Sequence, residues 1–306
     1  MTIFNLGSIN IDHLYQVDHF VRPGETLGST DYQTVLGGKG ANQSIALARA
    51  DAAIQHIGAL GQQDKWALAL LQQSGVDTRH IALLDMASGH AIIQLTRAAE
   101  NAIILYPGAN HGITEHHLTD ALTNAKHGDW LLMQNETNGL EQAIDVAMAN
   151  EMTIAFNPAP MNVDLVKPLL GKINWLIVNE VEAMDLTETD SVADAETALT
   201  QNYPQLHTLL TLGKEGVVYL HQSHRDSVEA HKVKAVDTTA AGDTFIGYAL
   251  SALTAGQSPL QAMTLGSAGA AICVTRLGAS SSIPTLAETR AFLKDAQNQN
   301  SQGDPA

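Results

Sequence analysis

The sequence predicts an α/β fold with a mostly parallel central sheet, helices on both faces and a small β-sheet lid. Short apolar runs, typical of buried strands, alternate with longer stretches of helical periodicity along much of the 306-residue chain. Such alternation is typical of a parallel sheet covered by helices on both faces. Two segments that contain strand-like runs but no intervening helix predict the lid.

The predicted elements follow this alternation in chain order. The strands of the main sheet are predicted at residues 2–8, 53–59, 130–134, 153–157, 175–179 and 208–213. Helices are predicted at residues 40–50, 65–74, 115–125, 140–150 and 192–201. Two further helices, at 242–255 and 260–275, are rich in Ala and Gly, which favours close packing.

The lid is predicted at about residues 11–35 and 89–106. Within the second segment, residues 90–96 and 102–106 flank a polar turn and predict a hairpin. No linker is rich enough in Pro, Gly or Ser to separate two domains, so residues 1–297 are expected to form one domain. Residues 298–306 are polar and are expected to be a flexible tail.

The charge balance argues against nucleic acid and membrane partners. Lys and Arg number 16 and Asp and Glu number 32, giving a formal net charge of −16. A surface of that sign repels nucleic acid and anionic membranes. The single cysteine, Cys273, lies in an apolar run and is expected to be a buried small residue. No secretory signal or membrane-spanning run is evident, so a soluble cytoplasmic protein is expected.

The segment with the strongest chemical signal is Asp237-Thr-Thr-Ala-Ala-Gly-Asp-Thr-Phe245. Ala240, Ala241 and Gly242 have little or no side chain, so their backbone N–H groups can approach a ligand. At a helix start, such groups bind phosphate well. Asp243 at that position can accept a proton from an attacking hydroxyl, which is what phosphoryl transfer to an alcohol requires. The alternative is that Asp243 is a plain helix cap.

Polar residues at predicted strand ends indicate a shared ligand cleft. Asn10 and Asp12 follow the first strand, and Glu136 follows the strand at 130–134. Ligands of parallel sheets bind at the carboxyl ends of the strands, and these side chains can hydrogen-bond a polyol. A Gly-rich cluster at residues 37–43, which includes Lys39, matches neither a Walker A loop nor a dinucleotide motif. Any one of these carboxylates alone is better explained by a solvated loop or a cap, and the Gly-rich cluster alone is equally explained by a tight turn before a helix; their combination favours the cleft.

Two later strand ends are candidates for the nucleotide side. Asn179 and Glu182 lie three residues apart, so they share a helix face and could orient magnesium-bound water. The turn from Thr211 to Gly216 could let a nucleotide base and ribose lie against the backbone, or could be a simple β-turn. A group of three histidines is interpreted as surface residues rather than a metal site, because the pattern of a third ligand is missing.

Taken together, these motifs resemble the ribokinase family of sugar kinases from about residue 6 to residue 292. The anchors of this resemblance, in order, are residues 7–12, 23–25, 37–43, 157–160, 179–182, 211–213 and 237–245. The resemblance implies Asp243 as the catalytic base, with Ala240, Ala241 and Gly242 forming an anion hole. It implies sugar contacts from Asn10, Asp12, Gly38, Lys39, Asn42 and Glu136, together with Asp243. It implies nucleotide contacts from Asn179, Thr211, Gly213, Gly216 and Gly242.

The resemblance also implies cofactors and a partner. Glu182 would be linked to Mg²⁺ through water, with the metal bound to ATP. A potassium ion would bind beside the anion hole, at positions matched by Asp237, Thr239, Cys273, Arg276, Gly278 and Ser282. Two of these depart from the family pattern, since Thr239 stands where an aliphatic residue is common and Cys273 where alanine is common. A homodimer through the lid is also implied.

The resemblance implies ATP-dependent phosphorylation of the 5-hydroxyl of D-ribose to ribose 5-phosphate. A kinase for deoxyribose, another sugar or a nucleoside remains open, although residues 89–96 contain no aromatic platform for a nucleoside base. A non-catalytic sugar-binding regulator on the same fold is a third alternative. The presence of Asp243 argues against it, because a binding protein needs no base.

Overall fold

The computed structural model describes residues 1–98 and 100–302. Its strands are β1 Ile3–Leu6, β2 Asn10–Val17, β3 Asp31–Gly37, β4 Ile54–Gly61, β5 Asp77–Leu84, β6 Gly89–Thr96, β7 Asn101–Tyr106, β8 Trp130–Gln134, β9 Thr153–Asn157, β10 Trp175–Asn179, β11 His207–Thr211, β12 Val217–His221 and β13 His224–Val228. Its α-helices are α1 Lys39–Arg49, α2 Trp66–Gln73, α3 Glu115–Leu122, α4 Leu140–Ala149, α5 Val163–Val166, α6 Glu180–Thr187, α7 Val192–Asn202, α8 Ala241–Thr254, α9 Pro259–Cys273 and α10 Leu286–Gln302.

The central sheet has nine strands in the order β13-β12-β11-β10-β9-β8-β1-β4-β5. The pairings from β11 through β10, β9, β8, β1 and β4 to β5 are parallel. At the other end, β12 and β13 join as antiparallel strands, because only short turns separate them from β11 and from each other. The predicted mostly parallel sheet is therefore confirmed.

Helices cover both faces of this sheet, as predicted. Side chains of successive residues in a strand point to opposite faces. In β10, Trp175 and Ile177 belong to one buried cluster, together with residues of α1, α8 and α9. Leu176 and Val178 belong to a second cluster, together with residues of α3, α4, α6 and α7. Because both faces of the sheet are covered, successive residues of its strands are apolar, and the strands appear in the sequence as continuous apolar runs.

The lid is a separate four-stranded sheet in the order β3-β2-β6-β7. Strands β6 and β7 pair antiparallel, as expected for the predicted hairpin, whereas β2 and β6 pair parallel. Because β2 begins four residues after the end of β1, the lid starts at the carboxyl edge of the central sheet. This connection places the lid beside the edge where ligands of parallel sheets bind.

The sequence analysis did not identify several elements. Strand β13 is short, polar and mostly exposed, so it lacks the apolar pattern that predicts a strand. Helix α10 continues to Gln302 and includes the first residues of the predicted tail, while residues 303–306 lie outside the described residues. Among the described residues, none of the helices is both long and apolar enough to span a membrane.

Candidate active site

Strands that are neighbours in the sheet bring the candidate residues to one edge. The ends of β11, β10, β9, β8 and β1 lie side by side in that order. Because these strands are parallel, their carboxyl ends share one edge. Thr211 and Asn179 end the first two, Asn157 and Gln134 the next two, and Ser8 follows β1. The predicted nucleotide residues thus occupy one part of this edge and the predicted sugar residues the other.

Helix α1 carries three polar side chains to the same edge because its start packs tightly against β1. Its N-cap residue, Gly38, has a φ of 92°, which L-residues with side chains rarely adopt. A Cβ atom on Gly40 would lie 2.4 Å from the backbone of Gly7, so only glycine fits there. This close approach places Lys39, Asn42 and Gln43 over the end of β1.

Asp243 is the third residue of α8 and is half-buried. Its Oδ1 accepts a hydrogen bond from Gln43 Nε2 at 2.9 Å, and its Oδ2 accepts one from Asn42 Nδ2 at 3.1 Å. Burial raises the pKa of the Asp243 carboxyl, against the opposing effects of the Lys39 ammonium and of these two amides. A buried carboxylate of raised pKa suits a general base.

The simpler interpretation of Asp243 as a helix cap does not hold. The N-cap residue of α8 is Ala240, and no side chain caps this helix start. Ala240 has a φ of 59°, a left-handed conformation that costs a non-glycine residue about 1–2 kcal/mol. At the edge of a ligand cleft, such strain is consistent with a functional role.

The backbone N–H groups at the start of α8 are the predicted anion hole. The first turn of a helix leaves N–H groups without partners inside the helix. The N–H of Ala241 donates to the Thr238 carbonyl at 3.3 Å, a long hydrogen bond that a ligand could replace. A Cβ atom on Gly242 would meet open space, so this residue faces a region that a ligand could enter.

Asp12 and Glu136 form an acidic pair in the predicted sugar half. Burial, reinforced by the charge of Glu136, raises the pKa of Asp12 to about 6. Burial also raises the pKa of Glu136. The Oε2 of Glu136 accepts hydrogen bonds from the Ser8 hydroxyl and, at 3.2 Å, from the Lys39 backbone N–H. The pair can accept hydrogen bonds from the hydroxyl groups of a sugar.

Asn10 is oriented by Asn110, a residue that the sequence analysis did not identify. The Asn110 side chain donates to Asn10 Oδ1 at 2.7 Å and accepts from the Ile9 backbone N–H at 2.9 Å. Both asparagines are buried. Because the hydrogen bond from Asn110 fixes the side of the amide that carries the oxygen, the N–H groups of Asn10 remain available as donors. The sequence offered no signal for Asn110, which lies in a short 3₁₀ helix, Gly108–His111, far from the other motifs.

Lys39 brings a positive charge to the cleft. Burial opposes the charge of its ammonium, but three surrounding carboxylates outweigh this effect and raise the pKa of Lys39 above its usual value. These carboxylates belong to Asp243, Glu136 and Glu182. Lys39 is therefore a charged group between the predicted sugar and nucleotide halves, where it can attract an anion.

On the predicted nucleotide side, Asn179 and Glu182 form a capping box at the start of α6. Asn179 Oδ1 accepts from the Glu182 N–H at 2.9 Å, and Glu182 Oε2 accepts from the Asn179 N–H at 3.0 Å. Thr211 contacts the Val178 carbonyl at 3.4 Å. Gly213 has space for a side chain, whereas a Cβ atom on Gly216 would lie 2.1 Å from Val228, which gives Gly216 a packing role.

The predicted potassium segments are connected to each other. Asp237 Oδ2 accepts from the Gly278 N–H at 2.9 Å, and its Oδ1 accepts from the Thr239 N–H at 2.9 Å and from the Thr239 hydroxyl at 2.7 Å. Cys273 is buried, as expected, with its Sγ 3.0 Å from Ser282 Oγ and 3.6 Å from the Thr239 carbonyl oxygen. The Cys273 thiol, through the Thr239 carbonyl, and the Asp237 carboxylate, through the Gly278 N–H, therefore join the two segments. The Arg276 guanidinium instead pairs with Glu288 at 2.6 Å.

The fold and this cleft define a class of enzyme. A parallel sheet presents a half-buried carboxylate at a helix start, with backbone N–H groups, a cation and a polar cluster that could bind hydroxyl groups at the same edge. This combination serves the transfer of a phosphoryl group to an alcohol.

Comparison with known proteins identifies the family. A family model described as pfkB family carbohydrate kinase matches residues 2–286. The chain therefore belongs to the pfkB family of carbohydrate kinases and is a phosphotransferase that acts on a sugar hydroxyl. This result confirms the resemblance and the enzyme class predicted from the sequence.

Individual relatives align with nearly the whole chain. A protein from Haemophilus influenzae named ribokinase is 39% identical over 305 residues, which cover 96% of this chain and 99% of the relative. The ribokinase of Cryptococcus neoformans solved in complex with ADP is 31% identical, with a TM-score of 0.84 over 95% of this chain and 98% of that one. The ribokinase of Arabidopsis thaliana solved with ribose and ATP is 26% identical, with a TM-score of 0.85 over 96% of this chain and 98% of that one.

Proposed function

We propose that the protein transfers the γ-phosphoryl group of ATP to the 5-hydroxyl of D-ribose, giving ribose 5-phosphate and ADP. The observation that carries this proposal is the carboxylate of Asp243, held at the start of α8 and hydrogen-bonded to Asn42 at 3.1 Å. The names of the similar proteins, and the ribose and ATP in the Arabidopsis complex, support these substrates.

In the proposed reaction, Asp243 accepts the proton of the 5-hydroxyl as its oxygen attacks the γ-phosphorus. The bond between the γ-phosphorus and the β–γ bridging oxygen breaks, and ADP leaves with that electron pair. The N–H groups of residues 240–242 stabilise the charge on the transferring group. Lys39 lies where its ammonium can add to this stabilisation. Protonated Asp243 returns its proton to solvent after the product leaves.

The sugar half is proposed to comprise Asn10, Asp12, Gly38, Lys39, Asn42 and Glu136. Asp12 and the free oxygen of Glu136 accept hydrogen bonds from sugar hydroxyls, while Asn10 donates. The hydrogen bond from Asn110 to the oxygen of Asn10 supports this division. Complementary donors and acceptors of this kind discriminate strongly against a sugar that lacks a hydroxyl.

The nucleotide half is proposed to comprise Asn179, Thr211, Gly213 and Gly216, with Gly242 at the phosphates. Among the described residues, no group of three or more His, Cys, Asp or Glu residues could hold a metal ion. This fits Mg²⁺ carried by the phosphates of ATP, with one carboxylate reached through water. Glu182 fits that role, because only its Oε2 is used in the capping box. Bound Mg²⁺ would neutralise phosphate charge.

A potassium ion is proposed to bind between two segments of the chain. The first contains Asp237 and Thr239. The second contains Cys273, Gly278 and Ser282, with the backbone of Arg276 nearby. Their hydrogen bonds hold both segments against the start of α8. Backbone carbonyl groups would be the ligands, because Asp237 uses both of its oxygens to accept N–H and O–H groups. The ion would hold the anion hole in its binding geometry.

The lid is proposed to pair with the lid of a second copy. Strand β7 is an edge strand of the lid sheet. Its residues Ile103, Ile104, Leu105 and Tyr106 are all exposed, by 47–66%. Exposed apolar edge strands are interaction sites. A homodimer would cover this strand. The proposed use of ATP makes the cytoplasm the expected location.

A screen of acceptors tests the proposed substrates. ADP release is measured with ATP and Mg²⁺ across pentoses, hexoses and nucleosides, and ³¹P–¹H coupling in the product identifies the phosphorylated carbon. We expect D-ribose to give the highest kcat/KM and a product phosphorylated at carbon 5. The alternative acceptor with most support is deoxyribose, because a Salmonella typhi protein named deoxyribokinase is 26% identical over 304 residues. A higher kcat/KM for deoxyribose or a nucleoside would reassign the substrate.

A further inference from the structure

Two buried amides hold the carboxylate of Asp243. Asn42, which the proposed function assigns to the sugar half, donates to Oδ2 at 3.1 Å. Gln43 donates to Oδ1 at 2.9 Å from the protein interior. Because Gln43 is 0% exposed, it cannot contact sugar or nucleotide in the cleft. Any effect of Gln43 on the reaction must therefore pass through Asp243.

Gln43 is itself fixed by two further hydrogen bonds. Its second N–H donates to Asn157 Oδ1 at 3.1 Å, and its Oε1 accepts from Gln134 Nε2 at 2.7 Å. A carboxylate can only accept, so Gln43 must turn its NH₂ group toward Asp243 and its carbonyl toward Gln134. The charge of Asp243 and the amide of Gln134 therefore specify one orientation of Gln43.

The hydrogen bonds continue into the core through uncharged groups. Gln134 donates to Asn5 at 2.9 Å, Asn5 donates to Ser44 at 2.8 Å, and Ser44 lies 2.8 Å from His56 Nδ1. His56 donates from Nε2 to the Gly7 carbonyl at 3.0 Å. Burial lowers the pKa of His56 to about 4, so this histidine is neutral. The network anchors the amides to β1, β4, β8 and α1 without adding a second charge.

We propose that Gln43 is a positioning residue for the base, an inference that rests on the proposed function of Asp243. Gln43 fixes Oδ1 from behind, so that Oδ2 faces the cleft beside Asn42. Its N–H also favours the ionised carboxylate, which burial disfavours. The same hydrogen bonds connect the base to α1, the helix that supplies Lys39 and Asn42.

The test measures the phosphoryl-transfer step in single turnovers across pH, with ATP and ribose both saturating. Gln43→Leu removes the donor at similar volume, and Gln43→Met serves if the leucine variant does not fold. We expect the acid limb of the rate profile to move to higher pH by about one to two units, since a lost hydrogen bond to a charged group has this magnitude. Ser251→Ala is the control, because it removes another buried hydrogen bond of α8, to the Ala50 carbonyl.

Gln43→Leu is also combined with Asp243→Asn, because this double variant distinguishes a role of Gln43 in positioning the base from a role in folding. We expect Gln43→Leu to slow the wild-type chemical step by tenfold or more and the Asp243→Asn variant by less than threefold, because the carboxylate that Gln43 serves is gone. Equal losses in both backgrounds, or an unmoved acid limb, would overturn the proposal. If Asp243→Asn itself retained full turnover, the proposed base, rather than the role of Gln43, would be wrong.

Discussion

Asp237 joins two loops that lie forty-one residues apart, because its Oδ2 accepts the backbone N–H of Gly278 at 2.9 Å. Its other oxygen holds Thr239, directly before the strained Ala240 at the start of α8. The hydrogen bonds of one carboxylate therefore connect the proposed anion hole to the segment at 276–282. Burial opposes ionisation of Asp237, but its bonds to Thr239 and Gly278 prevail and lower its pKa.

We expect potassium to raise turnover well above sodium at matched ionic strength, and Asp237→Asn to remove this preference by releasing the two loops. Matched ionic strength is needed because a chain of net charge −16 responds to salt in general. Asp129→Asn is the control, since Asp129 also joins two backbone segments, through Thr2 and Lys126, but away from the cleft. Equal rates in sodium, potassium and a bulky organic cation would contradict the proposed ion.

The raised pKa of Asp12 predicts a pH dependence of sugar recognition. Sugar hydroxyls donate to the ionised carboxylate, and this form is lost as the pH falls through about 6. We expect the dissociation constant of ribose, measured without ATP, to rise by about tenfold per pH unit below that value. Asp12→Asn should remove this limb and weaken sugar recognition by about 1–3 kcal/mol while sparing ATP affinity.

Asp31→Asn is the control for this experiment, because Asp31 is an exposed carboxylate on the same lid. Its replacement should leave the profile unchanged. If Asp12→Asn kept the limb, another group would be responsible for it. If the Asp12→Asn variant lost ATP affinity but kept ribose affinity, the sugar and nucleotide halves of the cleft would have been assigned the wrong way round.

The sequence predicted most of the central sheet and its helices because those elements have local apolar patterns. It did not identify β5, α6 or α10. It indicated Asp243 and the start of α8 because small residues and a carboxylate are adjacent in the chain there. It did not predict the role of Gln43. This residue lies in the Gly-rich cluster at residues 37–43, but its orientation depends on Gln134 and Asn157, at the ends of two strands distant in the sequence. Side-chain hydrogen bonds between distant segments leave no periodicity in a single sequence.

The contact between Asn110 and Asn10 predicts a specific defect. Asn110→Ala frees the oxygen of Asn10, so the Asn10 amide can turn and lose its donor orientation toward the sugar. We expect KM for ribose to rise by about five- to tenfold, as for one lost hydrogen bond, with KM for ATP unchanged. Asn138→Ala is the control, because Asn138 also bridges to a backbone segment, at Ile113. Equal effects of both substitutions would contradict a specific role for Asn110.

The left-handed conformation of Ala240 predicts an opposition between stability and activity. Ala240→Gly removes the Cβ strain and should raise the free energy of unfolding by about 0.5–1 kcal/mol after the entropy cost of glycine. Turnover should fall, because a glycine holds the adjacent N–H groups less rigidly. Gln222→Gly, at another left-handed residue with a φ of 54°, should stabilise similarly without loss of turnover. Chemical denaturation and steady-state kinetics measure both effects.

The central claim is that Asp243 is the base, and turnover of Asp243→Asn tests it most directly. The substitution keeps the shape of the side chain but removes the proton acceptor, so we expect turnover to fall by about 10²–10⁴-fold while ribose still binds. Asp194→Asn is the matched control, because Asp194 occupies the same third position of α7. A fall confined to Asp243→Asn is the result we predict, and turnover near the wild-type value in that variant would contradict the account.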